Sequence, residues 1–277
     1  MAEIVGGFLM PHNPMLTSAP EGMGDPDQRR SVFQAFETIS QRVRALEADT
    51  VIVVGDDHYT NFGPHCIPRC LIAIGDVEGP IEDWLRLERA PIANNTPLAE
   101  HILRTGYAEG IDWAFAKSLT VDHSVAIPYH LAVRTNPGLR TIPVYLNDAV
   151  PPFIESRRAY QIGQSIQRAV QSWSGDERVV IYGTGGISHW VGSPGMGRVN
   201  VEFDQQILEM FKRGDLEGLF ALSDQTVETE GGNGCLEIKN WLCAAGALPG
   251  ATAELIVYEA MPEWVTGMGF AELKRAA

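Results

Sequence analysis

Cysteine, positive charge and long apolar runs are all scarce in this 277-residue chain, and each scarcity excludes something. The cysteines (Cys66, Cys70, Cys235 and Cys243) form no paired Cys-x-x-Cys zinc pattern. They read as reduced, mostly buried thiols. The 21 basic residues stand against 35 acidic ones, a formal charge of −14 with histidines neutral. That balance excludes nucleic acid and anionic membrane as main partners, because both require a basic footprint. It does not exclude a small anionic substrate, since a few local cations override a global field. No apolar run approaches the ~20 residues of a spanning helix. The first ten residues are apolar but carry no basic stretch before them, and they run straight into Pro11-His12-Asn13-Pro14. They are therefore not read as a secretory signal, and a cytoplasmic protein is expected.

What is present is an ordinary globular balance, 45% hydrophobic and 20% charged, in a chain long enough to bury a substantial core. Residues 29–47 carry Val32, Phe33, Phe36, Ile39, Val43 and Leu46 at helical spacing. Thr50-Val51-Ile52-Val53-Val54 follows, a β-branched run that Gly55 ends. Such a run suits a strand covered on both faces. The alternation continues loosely. Strands are predicted over 70–74, 113–116, 142–146, 179–182 and 255–258, and helices over 98–107, 160–173, 201–213 and 236–247. The expected fold is α/β, with a central mostly parallel or mixed sheet flanked by helices. Residues 1–277 read as one domain, because the Gly- and Pro-rich stretches are too short for linkers and look like loops above a sheet.

In open α/β sheets, ligands bind outside the carboxyl ends of the strands. Histidines follow apolar runs at four such places: His12 after residues 4–10, His58 after Gly55-Asp56-Asp57, His123 after Leu119-Thr120-Val121-Asp122, and His189 after Gly183-Thr184-Gly185-Gly186-Ile187-Ser188. His65, His101 and His130 have no such placement and read as surface or packing residues. A lone histidine after a strand is usually a loop residue. Four able to converge suggest a metal site, although no local His-x-x-x-His signature is present. The glycine cluster has a rival reading as a phosphate loop. Against it, Ser188-His189-Trp190 and Ser193-Pro194-Gly195 stand where a helix would have to open, and no Walker lysine follows.

At these residues the chain resembles the class III extradiol dioxygenases, typified by the catalytic subunit of protocatechuate 4,5-dioxygenase. His12-Asn13-Pro14, Asp57-His58, Val121-Asp122-His123, the glycine-rich stretch ending in Ser188-His189, and Glu237 with Trp241 occur in the family's order. The resemblance implies that His12, His58 and Glu237 hold Fe(II) as a two-histidine, one-carboxylate triad, leaving room for a small aromatic diol and O2. Glu237 enters only through the resemblance; alone it reads as a carboxylate favoured by a helix dipole. His189 matches the acid/base that takes a proton from the diol. His123 matches a second proton donor, with Asp122 orienting it or serving a plain structural role. The implied product is a ring-opened semialdehyde acid.

Two departures bear on the substrate. Pro262-Glu263-Trp264-Val265-Thr266-Gly267 stands where the protocatechuate enzymes carry a serine-containing stretch that contacts the substrate carboxylate. It is closer to the 2,3-dihydroxyphenylpropionate branch, as is His58-Tyr59-Thr60-Asn61-Phe62. The expected substrate is a dihydroxy- or trihydroxy-aromatic, bearing an acid. Tyr59, Phe62, Trp190, Trp264 and Thr266 are candidates for the pocket wall, with core packing as the rival reading. No fused small helical subunit is visible; a homo-oligomer is expected, and a separate small accessory subunit stays open. Two other functions fit the same residues: a non-catalytic binding protein on the same fold, and a zinc hydrolase, because His2Glu also suits Zn2+.

Overall fold

The computed structural model describes residues 1–275. Among the described residues, nine strands form one mixed sheet: β1 (Glu3–Met10), β2 (Thr50–Gly55), β3 (Cys70–Gly79), β4 (Ala90–Ile92), β5 (Ala114–Thr120), β6 (Arg140–Leu146), β7 (Arg178–Thr184), β8 (Thr252–Met261) and β9 (Thr266–Lys274). The order is β4-β3-β6-β2-β7-β1-β9-β8, with β5 paired to β3. The centre β6-β2-β7-β1 is parallel. The pairs β1–β9, β8–β9, β3–β6 and β3–β4 are antiparallel.

The central strands explain their own composition. Every residue of β2 is buried, and its β-branched side chains alternate between two apolar layers. Ile52 and Val54 join one layer with Ile162, Ile166, Trp241 and Leu242. Val51 and Val53 join the other with Val32, Phe36, Ile39 and Val43. The first layer lies under the helices Ser156–Ser172 and Ile238–Ala247, the second under the helix Pro26–Ala45. Each such buried side chain contributes about 1.5–3 kcal/mol of hydrophobic stabilisation. The helix Pro26–Ala45 starts where the chain dictates: Asp25 accepts from the backbone N of Asp27 and Gln28 at 2.7 and 3.2 Å, and Pro26 occupies the first turn.

The expected elements are present, with most boundaries moved by a few residues. Strand β9 was not anticipated, because Thr266-Gly267-Met268-Gly269 lacks the β-branched signature. The glycines are there for space: a Cβ on Gly269 would lie 2.7 Å from Ile187 and 3.1 Å from Trp241. The short strand β4 and the helices Leu216–Ala221 and Asp224–Gly231 also went unread. The late helix begins at Ile238 rather than 236; before it, Asn233–Glu237 forms a 3-10 turn that ends on Glu237. The cysteines are free, Cys66 exposed and the other three buried. Among the described residues, no helix is long and apolar enough to cross a membrane.

Candidate active site

The parallel register brings the strand ends together. Met10 pairs with Thr184, Val54 with Gly183, and Gly55 with Tyr145, so β1, β2, β6 and β7 all stop at one edge of the sheet. The residues just beyond that edge are His12, Asp56, His58, Asp148 and His189. Glu237 reaches them from the 3-10 turn that precedes the helix Ile238–Ala247.

Glu237 Oε1 is the focus. It lies 3.3 Å from His12 Nε2, 3.4 Å from His58 Nε2 and 3.3 Å from His189 Nε2. Asp56 stands beside them, with its oxygens 3.9 Å from His12 Nε2 and 3.5 Å from His58 Nε2. One ligand atom from each of His12, Asp56, His58 and Glu237 lies within 4.8 Å of the others; His123 completes a second such set with His12 and His58.

Each ring is turned by a bond at its other nitrogen. His58 Nδ1 donates to Asp122 Oδ2 at 2.9 Å, and the same oxygen accepts the backbone N–H of His58 at 3.0 Å. His189 Nδ1 donates to the Ile187 carbonyl at 3.0 Å. His12 Nδ1 lies 3.1 Å from Thr184 Oγ1, whose own proton goes to the carbonyls of Val54 or Ser124 at 3.1 and 3.0 Å. That hydroxyl is therefore an acceptor toward the imidazole. With Nδ1 anchored in this way, each ring in its neutral form directs the Nε2 lone pair at the Glu237 carboxylate. The buried Nε2 of His12 has no hydrogen-bond partner. Lone pairs facing a carboxylate repel unless a cation sits among them, so the donor set fits a divalent metal ion.

The glycine-rich loop serves Glu237 rather than a phosphate. Gly186 N–H donates to Glu237 Oε2 at 2.7 Å. A Cβ on Gly185, whose φ is +148°, would lie 2.5 Å from Glu237 Cβ. Gly234 makes room for His189 in the same way: its Cβ would meet Nε2 at 2.1 Å.

Electrostatics separates the carboxylates. For Glu237, burial opposes ionisation, but His12 and His189 outweigh it and hold the carboxyl well below its ordinary value. Burial, reinforced by Asp148, pushes Asp56 well up. Burial raises Asp148 as well, to about 7. Burial lowers His12. At His58, burial also opposes charge, yet Asp56, Asp122 and Glu237 raise it. Thus the surroundings favour the ionised form of Glu237 and disfavour that of Asp56.

Of the anticipated residues, His12, His58, His123, His189 and Glu237 converge. Asp122 behaves differently from the sequence reading: its carboxylate holds His58, not its neighbour His123. His123 Nδ1 is held instead by Glu82 Oε1 at 2.6 Å. A cavity of about 210 Å³ opens beside the cluster, lined among others by Asp56, His58, Tyr59, Asp148, Phe153 and Glu237. Phe62, Trp190, Trp264 and Thr266 are not among its lining residues. Trp264 packs in the interior with its Nε1 on the Met23 carbonyl at 3.2 Å. Trp190 stacks under Arg198 at 4.5 Å, and Phe62 packs on the core. Thr266 is buried behind Gly186. Sequence reasoning missed Asp56, Asp148, Thr184 and Glu82. The strand-end rule applied to acids as well as histidines reaches the first two; nothing local marks Glu82.

With this geometry in place, comparison with known proteins is direct. The model of a family described as the catalytic LigB subunit of aromatic ring-opening dioxygenase matches residues 6–269. The chain belongs to that family and is an aromatic ring-cleaving dioxygenase, as the motifs led us to expect. A 2,3-dihydroxyphenylpropionate/2,3-dihydroxicinnamic acid 1,2-dioxygenase of Photorhabdus laumondii is 24% identical, the match covering 93% of each chain. A protein of the same description from Burkholderia vietnamiensis is 26% identical over 83% of this chain and 85% of that one. The fold is similar to the crystal structure of an uncharacterized protein from Escherichia coli K12, with a TM-score of 0.64 at 12% identity, covering 98% of this chain and 100% of the other.

Proposed function

We propose that this chain opens a dihydroxy- or trihydroxy-aromatic ring with O2 at an Fe(II) ion held by His12, His58 and Glu237. The observation that carries the reading is the convergence of His12 Nε2 and His58 Nε2 on one ionised Glu237 oxygen, at 3.3 and 3.4 Å. When bound, Fe(II) supplies the spin-allowed coupling of O2 to the ring, which no side chain provides. The protein supplies the rest. His189, with Nδ1 on a backbone carbonyl, takes a proton at Nε2 from a substrate hydroxyl. His123, whose ring lies 3.9 Å from that of His58 and 5.5 Å from that of His12, takes up the proton of the second hydroxyl at Nε2 and returns it during ring opening. The buried surroundings exclude bulk water from both transfers.

The named relatives act on side-chain acids, and an acid-bearing diol was the expectation for this chain. The cavity lining carries Asp148, Glu228 and Asp56 but no lysine or arginine. The site therefore recognises the diol-bearing ring, and we expect acid-free catechols to be accepted alongside acid-bearing ones.

The test is anaerobic reconstitution with Fe2+, and separately with Zn2+, followed by air and a panel of catechols with and without carboxylates. Oxygen uptake with a yellow semialdehyde, from iron-loaded protein only, is the expected result. Turnover of an ester or amide by the zinc form points instead to a hydrolase. Absence of uptake with every diol overturns the proposal.

A further inference from the structure

We infer that Glu82 is the positioning residue of His123, holding Nδ1–H so that Nε2 is the one nitrogen free to exchange a proton with the substrate. The inference rests on the proposed role of His123 and extends it to a residue that no motif marks.

The chain carries Glu82 to this place by backbone alone. The parallel ladder of β3 and β5 ends with Glu78 opposite Thr120. Beyond it, Val121 N–H donates to the Glu78 carbonyl and Ile81 N–H to the Val121 carbonyl, both at 2.8 Å. Gly79 allows the approach, since a Cβ there would lie 2.4 Å from Val121 Cγ2. After this clip, Leu85 is fully buried and its N–H returns to the Glu82 carbonyl at 3.3 Å. Glu82 is thus fixed between two anchored points, one residue past the clip, while His123 is two residues past it on the other strand.

The contact has the form of a carboxylate–imidazole dyad. Glu82 Oε1 lies 2.6 Å from His123 Nδ1 and accepts the backbone N–H of His123 at 3.2 Å. Both side chains are buried, at 6% and 7% exposure, so water does not compete for the ring. The second oxygen, Oε2, is buried without a partner. A glutamate serving only as a backbone cap needs neither the 2.6 Å ring contact nor such burial. Charge-assisted bonds of this kind fix tautomer and ring orientation together. They matter here because His123 has two neighbours that could capture it: its ring centroid is 3.9 Å from that of His58 and 5.5 Å from that of His12. A ring released from Glu82 is free to rotate toward the metal ligands. On the exposed side, the Trp84 ring lies 6.3 Å away.

The test uses full-length protein carrying 15N-histidine, loaded with Zn2+ as a diamagnetic substitute, together with turnover of the Fe(II) form. In the wild type, long-range 15N–1H correlations should place the His123 proton on Nδ1. Glu82→Ala should shift it to Nε2 or a mixture, retain metal, and lower kcat by about 10²-fold with KM little changed, the scale of one general acid/base. Glu82→Gln, which keeps an acceptor oxygen in the same place, should restore the Nδ1–H tautomer and recover most of the lost turnover. If Glu82→Ala does not fold, Glu82→Met, of similar volume and without an acceptor, makes the same comparison. An unchanged His123 tautomer in Glu82→Ala or Glu82→Met overturns the inference even where His123→Ala loses turnover. Wild-type turnover in His123→Ala instead removes the role of His123, and the catalytic consequence of Glu82 falls with it.

Discussion

Asp122→Asn is the substitution that best isolates how this site is built. The carboxylate is fully buried and surrounded by donors. Its Oδ2 accepts from His58 N and Nδ1 at 3.0 and 2.9 Å, while Oδ1 accepts from Ser124 N at 3.2 Å, with Ser124 Oγ at 2.7 Å and Tyr145 OH at 3.0 Å. Burial alone would raise this carboxyl, but His58 and Ser124 hold it well below its ordinary value. Asparagine has one acceptor oxygen and two N–H groups. Kept toward His58, its oxygen leaves NH2 facing the Ser124 N–H, although the two hydroxyls can turn to accept. One donor then faces another, at about 1–3 kcal/mol, and the bonds to His58 lose their charge. The expected cost is about 2–4 kcal/mol, a large share of the 5–15 kcal/mol typical of folded proteins. That corresponds to a fall in melting temperature on the order of 10 °C. Metal affinity should weaken by about 10–100-fold, because a ligand has lost its orienting partner. Thermal denaturation of the zinc form and competition with a chromophoric chelator measure the two effects. Wild-type affinity in a folded Asp122→Asn protein would refute the argument that His58 is aimed through Asp122. Tyr145→Phe, which removes one donor to Oδ1 and the acceptor of the Asp122 N–H but leaves His58 served, is the control: it should cost stability and leave affinity unchanged.

Other substitutions separate the remaining parts. His12→Ala and Glu237→Ala should purify without iron, whereas His189→Ala should keep its iron and lose turnover, as read by metal analysis and oxygen uptake; an iron-depleted His189→Ala protein contradicts its assignment. Gly185→Ala meets Glu237 Cβ at 2.5 Å at a φ of +148°, so it should lose metal affinity with the sheet intact, which circular dichroism and chelator competition would check. Asp204→Asn should be nearly neutral at pH 7, within about 1 kcal/mol, because two of its three partners, Ser188 Oγ and Tyr258 OH, can reverse their bonds. Burial raises the Asp204 carboxyl, so the folded protein binds the proton more tightly and the group's contribution falls as pH rises from the ordinary aspartate value through the raised one. A denaturation series across that window should be flatter in the variant. Removing the metal with a chelator should lower the melting temperature, since a ligand present at ~100 times its Kd contributes about 2.7 kcal/mol; identical melting curves with and without metal would show that no ion is held.

The parts of this site legible in the sequence are those that follow from backbone position. A fully buried parallel strand needs an unbroken apolar run, and its end places the next few residues at the sheet edge. His12, His58 and His189 are visible on that logic before any contact is known. Glu237 is not, because it arrives from the helix side, and its approach is recorded only as glycines at 185 and 186, which resemble a phosphate loop equally well. Asp56 and Asp148 look like ordinary loop acids until burial is known. Glu82 lies in a turn whose path depends on the β3–β5 register. Strand β9 escaped notice because Gly267 and Gly269 make room for neighbours instead of displaying a pattern of their own.

Four histidine rings meet at this edge, and no two share an acceptor at Nδ1. His12 is turned by a hydroxyl at 3.1 Å, His58 by a carboxylate at 2.9 Å, His189 by a backbone carbonyl at 3.0 Å and His123 by a second carboxylate at 2.6 Å. The acceptors come from separate segments: β7, the Asp122 turn, the loop after β7 and the turn after β3. Had one acceptor served two rings, a single proton shift would have coupled them, and a ligand could not have been kept deprotonated while its neighbour took up a proton. Separate anchors prevent that link behind the rings, as the proposed mechanism requires, with two rings offering lone pairs to a cation and two others moving protons. In the proposed mechanism, the division between holding metal and handling protons is therefore prepared behind the rings, by the groups that hold each Nδ1.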